Sequence, residues 1–369
     1  MTTEWLSWLV FSFYAATAWQ IAWWLLLAKA AWRKSAPPKW PTEGPGVSII
    51  ICARNEADRL IKNLPHICTQ TYKPIEIIVV DDASIDKTQK ILTSLSCSYK
   101  NLRTIKITNK TIIGKKQALN AGIRAATYDW LLFTDADCRP ASTHWVAGMM
   151  AQVRQGAAIV LGIGLYEREA GWLNRFIRFE TALTALQYCA AAFWHAPYMG
   201  VGRNLLYHKS VFKEAKGFSE HLNLASGDDD LLVNAVGRKF KTAAALHPQT
   251  FTLSEPKKTI TSWYYQKCRH FTAADKYKRS HQIVLASVAS AQMYHYLSGS
   301  VLFAIGLGQI ALTGWSVKLL ALHAVMWPWL RRIGQSDLMR WLWILDGALA
   351  LYYGFFGLKF WVTRKTNSW

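Results

Sequence analysis

Short apolar runs alternate with amphipathic segments between residues 47 and 135. The apolar runs are rich in β-branched residues and end at polar or turn-forming residues, which is typical of buried strands. Strands separated by helices indicate a mostly parallel sheet that is covered on both faces, so the sequence predicts an α/β fold. The predicted strands are Val47–Ala53, Glu76–Asp82, Leu102–Thr108 and Trp130–Asp135, and the predicted helices are Asp58–Thr69, Ser84–Leu95 and Lys115–Ala126.

The N-terminal segment Trp5–Leu27 contains no charged residue and is long enough to cross a hydrocarbon core of about 30 Å. The residues before it include an acid rather than the basic stretch of a cleavable signal peptide, so we expect a retained anchor. Basic residues follow it, and the positive-inside rule therefore predicts that the chain enters the cytoplasm there. These residues are Lys29, Arg33, Lys34 and Lys39.

A second apolar block begins at Ile283. Its uncharged stretch to Val317 predicts two helices with a turn near Gly306, Gly308 or Gly314, and the apolar segment Leu319–Leu330 continues it. A last span is predicted over 341–362, which gives four spans in all. The alternative is three spans, with Leu319–Leu330 lying in the membrane interface. Asp346, near the start of the last span, is expected to be an interfacial acid.

These patterns predict three regions: an anchor with a basic linker that contains Pro37 and Pro38 (1–39), a cytoplasmic globular domain (40–282) and a C-terminal membrane region (283–369). The chain would be an integral protein of the inner or plasma membrane.

Composition supports a membrane protein. The chain carries a formal charge of +20, yet 51% of its residues are hydrophobic, only 18% are charged and 19 are tryptophan. This hydrophobicity excludes a disordered chain, and basic and apolar surface together favour an anionic membrane. Nucleic acid is not an expected partner, because the basic residues cluster beside the apolar spans. The six scattered cysteines show no metal-ligand spacing and indicate a reducing compartment.

Acidic residues follow the predicted strands. Asp82 ends the second strand, and Asp135 and Asp137 end the fourth. In parallel sheets, ligands bind beyond the carboxyl ends of the strands, so these acids are expected to converge on a ligand. The sequence contains neither GxGxxG nor GxxxxGK[ST], and a divalent cation, Mg²⁺ or Mn²⁺, held by carboxylates would then have to neutralise a bound phosphate.

Seven motifs in a fixed order carry a resemblance to a known family. The chain resembles the membrane-bound family 2 glycosyltransferases, which have the GT-A fold and include cellulose, chitin and hyaluronan synthases and ceramide glucosyltransferases. The resemblance covers about Val47 to His270. The motifs are VSIIICARNE, VVDDASIDKT, GKKQALNAGI, FTDADC, GVGRNLLYHKSVF, GDDDLLV and QKCRH.

This resemblance implies a GT-A domain and a nucleotide-sugar donor, with UDP as the expected nucleotide. Together with the apolar segments it predicts a GT-A domain with interfacial helices, one N-terminal and two or three C-terminal transmembrane helices. Asp82 would lie next to the uracil, Lys115 near uridine or phosphate, and Asp135 toward ribose and metal. Asp137 would bind the metal most directly. The residues implied to bind the donor are Ala53, Arg54, Glu56, Asp82, Lys115 and Asp135.

The implied reaction is inverting displacement at the sugar C1. Asp229 resembles the family's general base, with Asp228 as the reserve candidate, and crowding among these acids should raise at least one pKa. Arg269 and Gln266 resemble the family's QxxRW motif, in which the arginine stabilises the leaving diphosphate. His270 stands where that motif has tryptophan, which leaves the acceptor open.

With only three or four spans, the chain offers little protein to enclose a polymer channel. The favoured acceptor is therefore a membrane lipid or a lipid-linked saccharide. The segment Gly171–Gly217, with Arg175 and Arg178, would form a lipid-facing platform. The alternatives are a processive polysaccharide synthase, alone or with a partner subunit, and a catalytically inactive membrane-anchored binding module.

Overall fold

A computed structural model describes residues 4–33 and 40–366, with side chains described to Gly357. The predicted linker residues Pro37 and Pro38 and the basic residues Lys34 and Lys39 lie outside the described residues. Within the described chain, segments 4–33, 175–190 and 278–366 form a helical unit, and segments 40–174 and 191–277 form an α/β unit. The domain boundaries after residues 39 and 282 stay a prediction.

The α/β unit contains ten strands in two sheets. The larger sheet has the order β3-β2-β1-β4-β8-β6-β9, in which β8 is antiparallel to both its neighbours and the other pairs are parallel. The smaller sheet has the order β5-β10-β7. The strands are β1 (Glu43–Ala53), β2 (Lys73–Asp82), β3 (Leu102–Ile107), β4 (Trp130–Asp135), β5 (Cys138–Pro140), β6 (Ile159–Leu161), β7 (Gly164–Tyr166), β8 (Leu205–His208), β9 (Thr242–Ala244) and β10 (Thr252–Ser254).

Twelve α-helices and three short 3₁₀ helices make up the rest of the regular structure in the described residues. The α-helices are α1 (Glu4–Ala31), α2 (Ala57–Cys68), α3 (Thr88–Ser98), α4 (Lys116–Ala125), α5 (Trp145–Arg154), α6 (Trp172–Phe193), α7 (Lys209–Glu214), α8 (Asp230–Val236), α9 (Ile260–Ala274), α10 (Arg279–Ala304), α11 (Gly308–Arg332) and α12 (Leu342–Thr366). The 3₁₀ helices are Ser219–His221, Pro248–Thr250 and Ser336–Trp341.

The central strands form the core of the α/β unit because their side chains are apolar on both faces. Val47, Ile49 and Ile51 of β1 are fully buried, as are Ile77 and Val79 of β2. The prediction of a mostly parallel α/β sheet is confirmed, and so are the four strands and three helices predicted between residues 47 and 135.

One helix begins later than expected. The helix predicted from Ser84 begins at Thr88, because Ala83 has a φ of 57° and the Ser84 N–H donates to Asp81 Oδ1 at 3.0 Å. The backbone therefore turns before the helix starts. Asp86 Oδ1 accepts the N–H of Thr88 at 2.9 Å.

The helical unit contains two helices in the described residues that are long and apolar enough to cross a membrane, α1 and α11. Helices α10 and α11 are separated by a turn at Gly306, whose φ is +89°. Gly306 is one of the three glycines near which this turn was predicted. Helix α11 continues unbroken through Lys318, so Leu319–Leu330 is not a helix of its own. The total number of spans stays a prediction.

Two charged residues of the helical unit differ from expectation. Asp346 is fully buried and pairs with Lys318, which is also fully buried, so it is not an interfacial acid. Arg178 is 2% exposed and donates to both carboxylate oxygens of Asp337 and to Gln335 Oε1, so it does not face headgroups. Buried charges need partners of this kind, and in both cases the partner lies far away in the chain.

Candidate active site

The carboxyl ends of β1, β2 and β4 lie side by side, because β1 pairs in parallel with both of the others. Ala53 is opposite Asp81 in this register, and Cys52 is opposite Asp135. The three strands thus bring Ala53, Asp82 and Asp135 to one edge of the sheet. This edge is where an α/β sheet binds ligands.

Asp135 and Asp137 occupy a tight turn between β4 and β5, and together with Cys138 they could hold a metal ion. Each residue offers one potential ligand atom, and these three atoms lie within 4.8 Å of one another. Burial raises the pKa of the Cys138 thiol well above its usual range, so the thiol stays protonated and binds metals weakly. The two carboxylates are hard oxygen ligands, and they fit Mg²⁺ or Mn²⁺.

Lys115, at the start of α4, connects this turn to the acidic segment before α8. Its Nζ lies 3.0 Å from Asp135 Oδ1 and 3.1 Å from Asp228 Oδ2. Desolvation opposes the charge on Lys115, but Asp135, Asp228 and Asp229 outweigh it and hold its pKa well above the usual range. Burial alone would raise the pKa of Asp135. The positive charge of Lys115, together with those of Arg203 and Arg269, has the larger effect and lowers this pKa. Both groups are therefore charged at neutral pH.

Asp229 precedes the first turn of α8 and is held by backbone donors. Its Oδ2 accepts the N–H of Gly202, and its Oδ1 accepts the N–H of Asp230 at 2.9 Å. Burial and the neighbouring charge of Asp228 raise the pKa of Asp229 to about 6, although Lys115 and these donors act against the rise. The predicted effect of crowding among the acids is confirmed, and a carboxyl with this pKa can accept a proton near neutral pH.

Asp82 is 3% exposed and forms an ion pair with Lys110, which the sequence reasoning did not single out. The other carboxylate oxygen, Oδ1, is buried and has no hydrogen-bond partner among the described residues. Arg54 is exposed just after β1, and Glu56 pairs with Arg59 at 2.8 Å. Burial raises the pKa of Glu56, and Asp137 and Asp135 add to the rise, so Glu56 lies within electrostatic range of the metal turn.

Helix α9 carries the QKCRH motif. Arg269 is exposed, and its charge helps to lower the pKa of Asp135, so it too acts on this site. Gln266 Nε2 donates to the Tyr166 hydroxyl at 3.1 Å. The guanidinium of Arg203 lies over the Tyr166 ring, 4.4 Å from its centroid.

Two cavities lie beside the metal turn. The larger has about 340 Å³ of empty space and is lined by Lys115, Asp135 and Asp229, among others. The smaller has about 230 Å³ and is lined by Asp137 and Arg59, among others. Asp135 and Asp229 line the larger cavity, Asp137 lines the smaller one, and Lys115 contacts Asp135 and Asp228. The role of each of these residues stays a prediction.

The sequence reasoning singled out neither Lys116 nor Lys110, which lies in none of the motifs, and it considered Gly202 and Arg203 only as part of the GVGRN turn. Lys116 lies next to Lys115 in the GKK run, and Gly202 and Arg203 lie in the GVGRN segment. Position in these motifs was the available signal. Their partners include backbone groups and residues far away in the chain, which a motif does not show.

Comparison with known proteins identifies the class. A family model described as "Glycosyl transferase family 2" matches residues 48–215. A mannosyltransferase from Pyrobaculum calidifontis, solved in complex with GDP-Man and Mn²⁺, superposes with a TM-score of 0.59 at 19% identity, over 93% of this chain and 98% of that chain. The α/β unit therefore has a GT-A-like fold.

Two curated relatives are similar in sequence. The probable glycosyltransferase YdaM of Bacillus subtilis is 27% identical over 63% of this chain and 56% of its own length. The Escherichia coli UDP-Glc:alpha-D-GlcNAc-diphosphoundecaprenol beta-1,3-glucosyltransferase WfaP is 37% identical over 27% of this chain and 36% of its own length. The chain spans about half the length of the first curated relatives it matches. The glycosyl transferase family 2 domain is shown for residues 48–215 of the chain.

Proposed function

We propose that the chain is an inverting glycosyltransferase that moves a sugar from a nucleotide sugar to a hydroxyl of a membrane lipid or lipid-linked saccharide. The observation that carries this proposal is the bridge from Asp135 through Lys115 to Asp228, which brings the metal turn within reach of Asp229. A donor diphosphate held at the turn would then present its sugar to a base.

In this reaction the acceptor oxygen forms a bond to C1 of the sugar while the bond from C1 to the diphosphate oxygen breaks. The leaving oxygen takes the bonding electron pair, and Asp229 takes the proton of the acceptor hydroxyl. A bound Mg²⁺ or Mn²⁺, held by Asp135 and Asp137, would neutralise charge on the diphosphate. Arg269 would add a second positive charge where the leaving group gains negative charge.

A nucleotide sugar as donor is supported by the similar proteins. The Escherichia coli relative is named for UDP-Glc, and the Pyrobaculum calidifontis structure holds GDP-Man. Asp82 offers a buried carboxylate oxygen with no hydrogen-bond partner among the described residues, and both uracil and guanine have a ring N–H that can donate to such an oxygen. UDP is the expected nucleotide.

A lipid-linked acceptor is supported by the two apolar helices, α1 and α11, and by the printed name of the Escherichia coli relative. We propose a membrane location with the catalytic unit at the cytoplasmic face. A processive synthase is the second candidate, because the chain is 30% identical over 25% of its length to a Staphylococcus aureus poly-beta-1,6-N-acetyl-D-glucosamine synthase, of which the match covers 22%.

The test is mass spectrometry of lipids and polysaccharides from cells that carry the wild-type chain, the Asp229→Asn variant or no copy. Single transfer predicts one lipid species that gains one sugar mass only with the wild-type chain. A ladder of many sugar masses would favour the synthase. Identical profiles in all three strains would reject a transferase and leave the inactive binding module.

A further inference from the structure

Lys116 is the most deeply buried lysine in the described α/β unit, and it forms no ion pair there. The residue is 1% exposed, although it lies at the first position of α4, beside the exposed segment that ends β3. Its ammonium group donates to three backbone carbonyl oxygens, those of His221 at 2.7 Å, Leu224 at 2.6 Å and Ser226 at 2.7 Å. All three of its N–H donors are therefore used.

These three carbonyls belong to one irregular segment, 221–226, which directly precedes Gly227, Asp228 and Asp229. The segment has few backbone hydrogen bonds of its own; Leu224 N–H donates to His221 O at 3.1 Å. A second contact comes from Gly114, whose φ is +79° and where a Cβ would lie 2.5 Å from Ala225 O. The GKK run thus holds the 221–226 segment at two points.

The same segment also contacts helix α9. Ser226 Oγ donates to the Arg269 carbonyl oxygen at 2.9 Å and lies 3.0 Å from Thr272 Oγ1. Ser226 therefore contacts both residues: its carbonyl accepts from Lys116, and its hydroxyl donates to the backbone carbonyl of Arg269. One buried ammonium group connects the start of α4, the segment that leads to Asp229, and the helix that carries Arg269.

Burying an ammonium group is unfavourable unless its donors are satisfied, and the three carbonyls satisfy them. Burial lowers the pKa of Lys116, while the charges of Asp228, Asp230 and Asp229 act against this and favour the ammonium form. A neutral side chain of similar size would leave the Leu224 and Ser226 carbonyls without this donor, and the His221 carbonyl would keep only the N–H of Leu224. The 221–226 segment would then have to move toward water to satisfy them.

We propose that Lys116 is a positioning residue that holds Asp229 and the Arg269 backbone in the geometry needed for sugar transfer. It does not touch donor or acceptor. This inference rests on the proposed function, and it concerns a residue that neither the family resemblance nor the comparisons assign. A misplacement of about 1 Å in a catalytic group can reduce a rate about 100-fold, so the expected effect is on turnover rather than on donor binding.

The test compares Lys116→Met with the matched control Lys90→Met, which replaces an exposed lysine on α3. With the full chain in detergent, we expect kcat of Lys116→Met to fall by about tenfold or more, while the donor KM changes less than about twofold. Lys90→Met should match the wild type. A donor KM that rises with kcat unchanged, or an unchanged kcat, would overturn the inference.

Hydrogen exchange gives a readout that does not depend on activity. Loss of the three carbonyl contacts should speed amide exchange in residues 221–230 of Lys116→Met and leave the α3 amides unchanged. Unchanged exchange in 221–230 would contradict a positioning role. Because this readout needs no substrate, it separates failure of the inference from a wild-type chain that transfers no sugar, which would reject the proposed function.

A second variant covers the case in which Lys116→Met does not fold. Ser226→Ala removes the hydroxyl that contacts Arg269 but keeps the carbonyl that accepts from Lys116. We expect a folded protein with kcat lowered about threefold to tenfold and a donor KM close to that of the wild type. Wild-type kcat in this variant would contradict the proposed connection to α9.

Discussion

Replacing Asp228 by asparagine tests how the acidic segment sets the charge of Asp229. The pKa of Asp229 is raised from 3.8 to about 6, first by burial and then by the negative charge of Asp228. This rise corresponds to about 3 kcal/mol of differential interaction between the protonated and ionised forms. Removing the charge of Asp228 takes away only the second contribution, so the pKa of Asp229 should fall toward its ordinary value.

The sign of the expected pH dependence follows from the role of Asp229. A general base must be ionised, so kcat should rise with pH through the pKa of this carboxyl. With a pKa of about 6, kcat of the wild type should fall about tenfold from pH 7 to pH 5. In Asp228→Asn the same decrease in kcat should move to lower pH, whatever the plateau value.

The assay is sugar transfer at saturating donor and metal from pH 4.5 to 8. Asp129→Asn is the matched control, because Asp129 is an exposed acid of the same unit, 67% exposed and 3.7 Å from Lys209. Its midpoint should stay at that of the wild type. A wild-type midpoint near 4, or a midpoint that rises in Asp228→Asn, would refute the reasoning.

Three further predictions concern the metal turn, the leaving group and a buried ion pair. Asp137→Asn should weaken Mn²⁺ binding by about tenfold or more in calorimetric titrations with UDP present, because it removes a hard oxygen ligand; equal affinity would argue against the site. Arg269→Ala should lower kcat about 100-fold with a smaller effect on the donor Kd, and a loss confined to the Kd would contradict stabilisation of the leaving group. Lys110→Met should destabilise the chain by about 3 kcal/mol in thermal unfolding, because Asp82 is left buried without its partner. Lys239→Met, which breaks an exposed pair, should cost less than about 1 kcal/mol, and equal losses in the two variants would refute the distinction.

The sheet and the acidic strand ends could be predicted from the sequence because local patterns carry them. A β-branched apolar run identifies β1, and Asp135 follows directly on the apolar run Trp130–Phe133 and Thr134. Its place at the carboxyl edge therefore requires only the topology of a parallel sheet. The ordered motifs then placed Lys115 and Asp229 at the same site. Each of these predictions uses neighbours in the sequence or a known order of strands.

The remaining contacts depend on partners that no local pattern shows. Lys116 binds carbonyls about a hundred residues further along the chain, and any residue type can supply a carbonyl. Asp346 was expected at the membrane interface because it lies near the start of the last predicted span. In the structure it is buried against Lys318 of another helix, and the sequence around Asp346 does not show this partner. Arg178 was likewise placed from the pattern of one helix, while Asp337 lies more than 150 residues away.

The most direct test of the account separates donor binding from transfer in Asp229→Asn. In the proposed mechanism the metal turn binds the donor and Asp229 only removes the acceptor proton. The variant should therefore bind UDP and Mn²⁺ in calorimetry with a Kd within about twofold of the wild type, while its transfer of labelled sugar to a lipid extract falls at least about 100-fold. Transfer at the wild-type rate, or loss of transfer and donor binding together, would contradict the central claim.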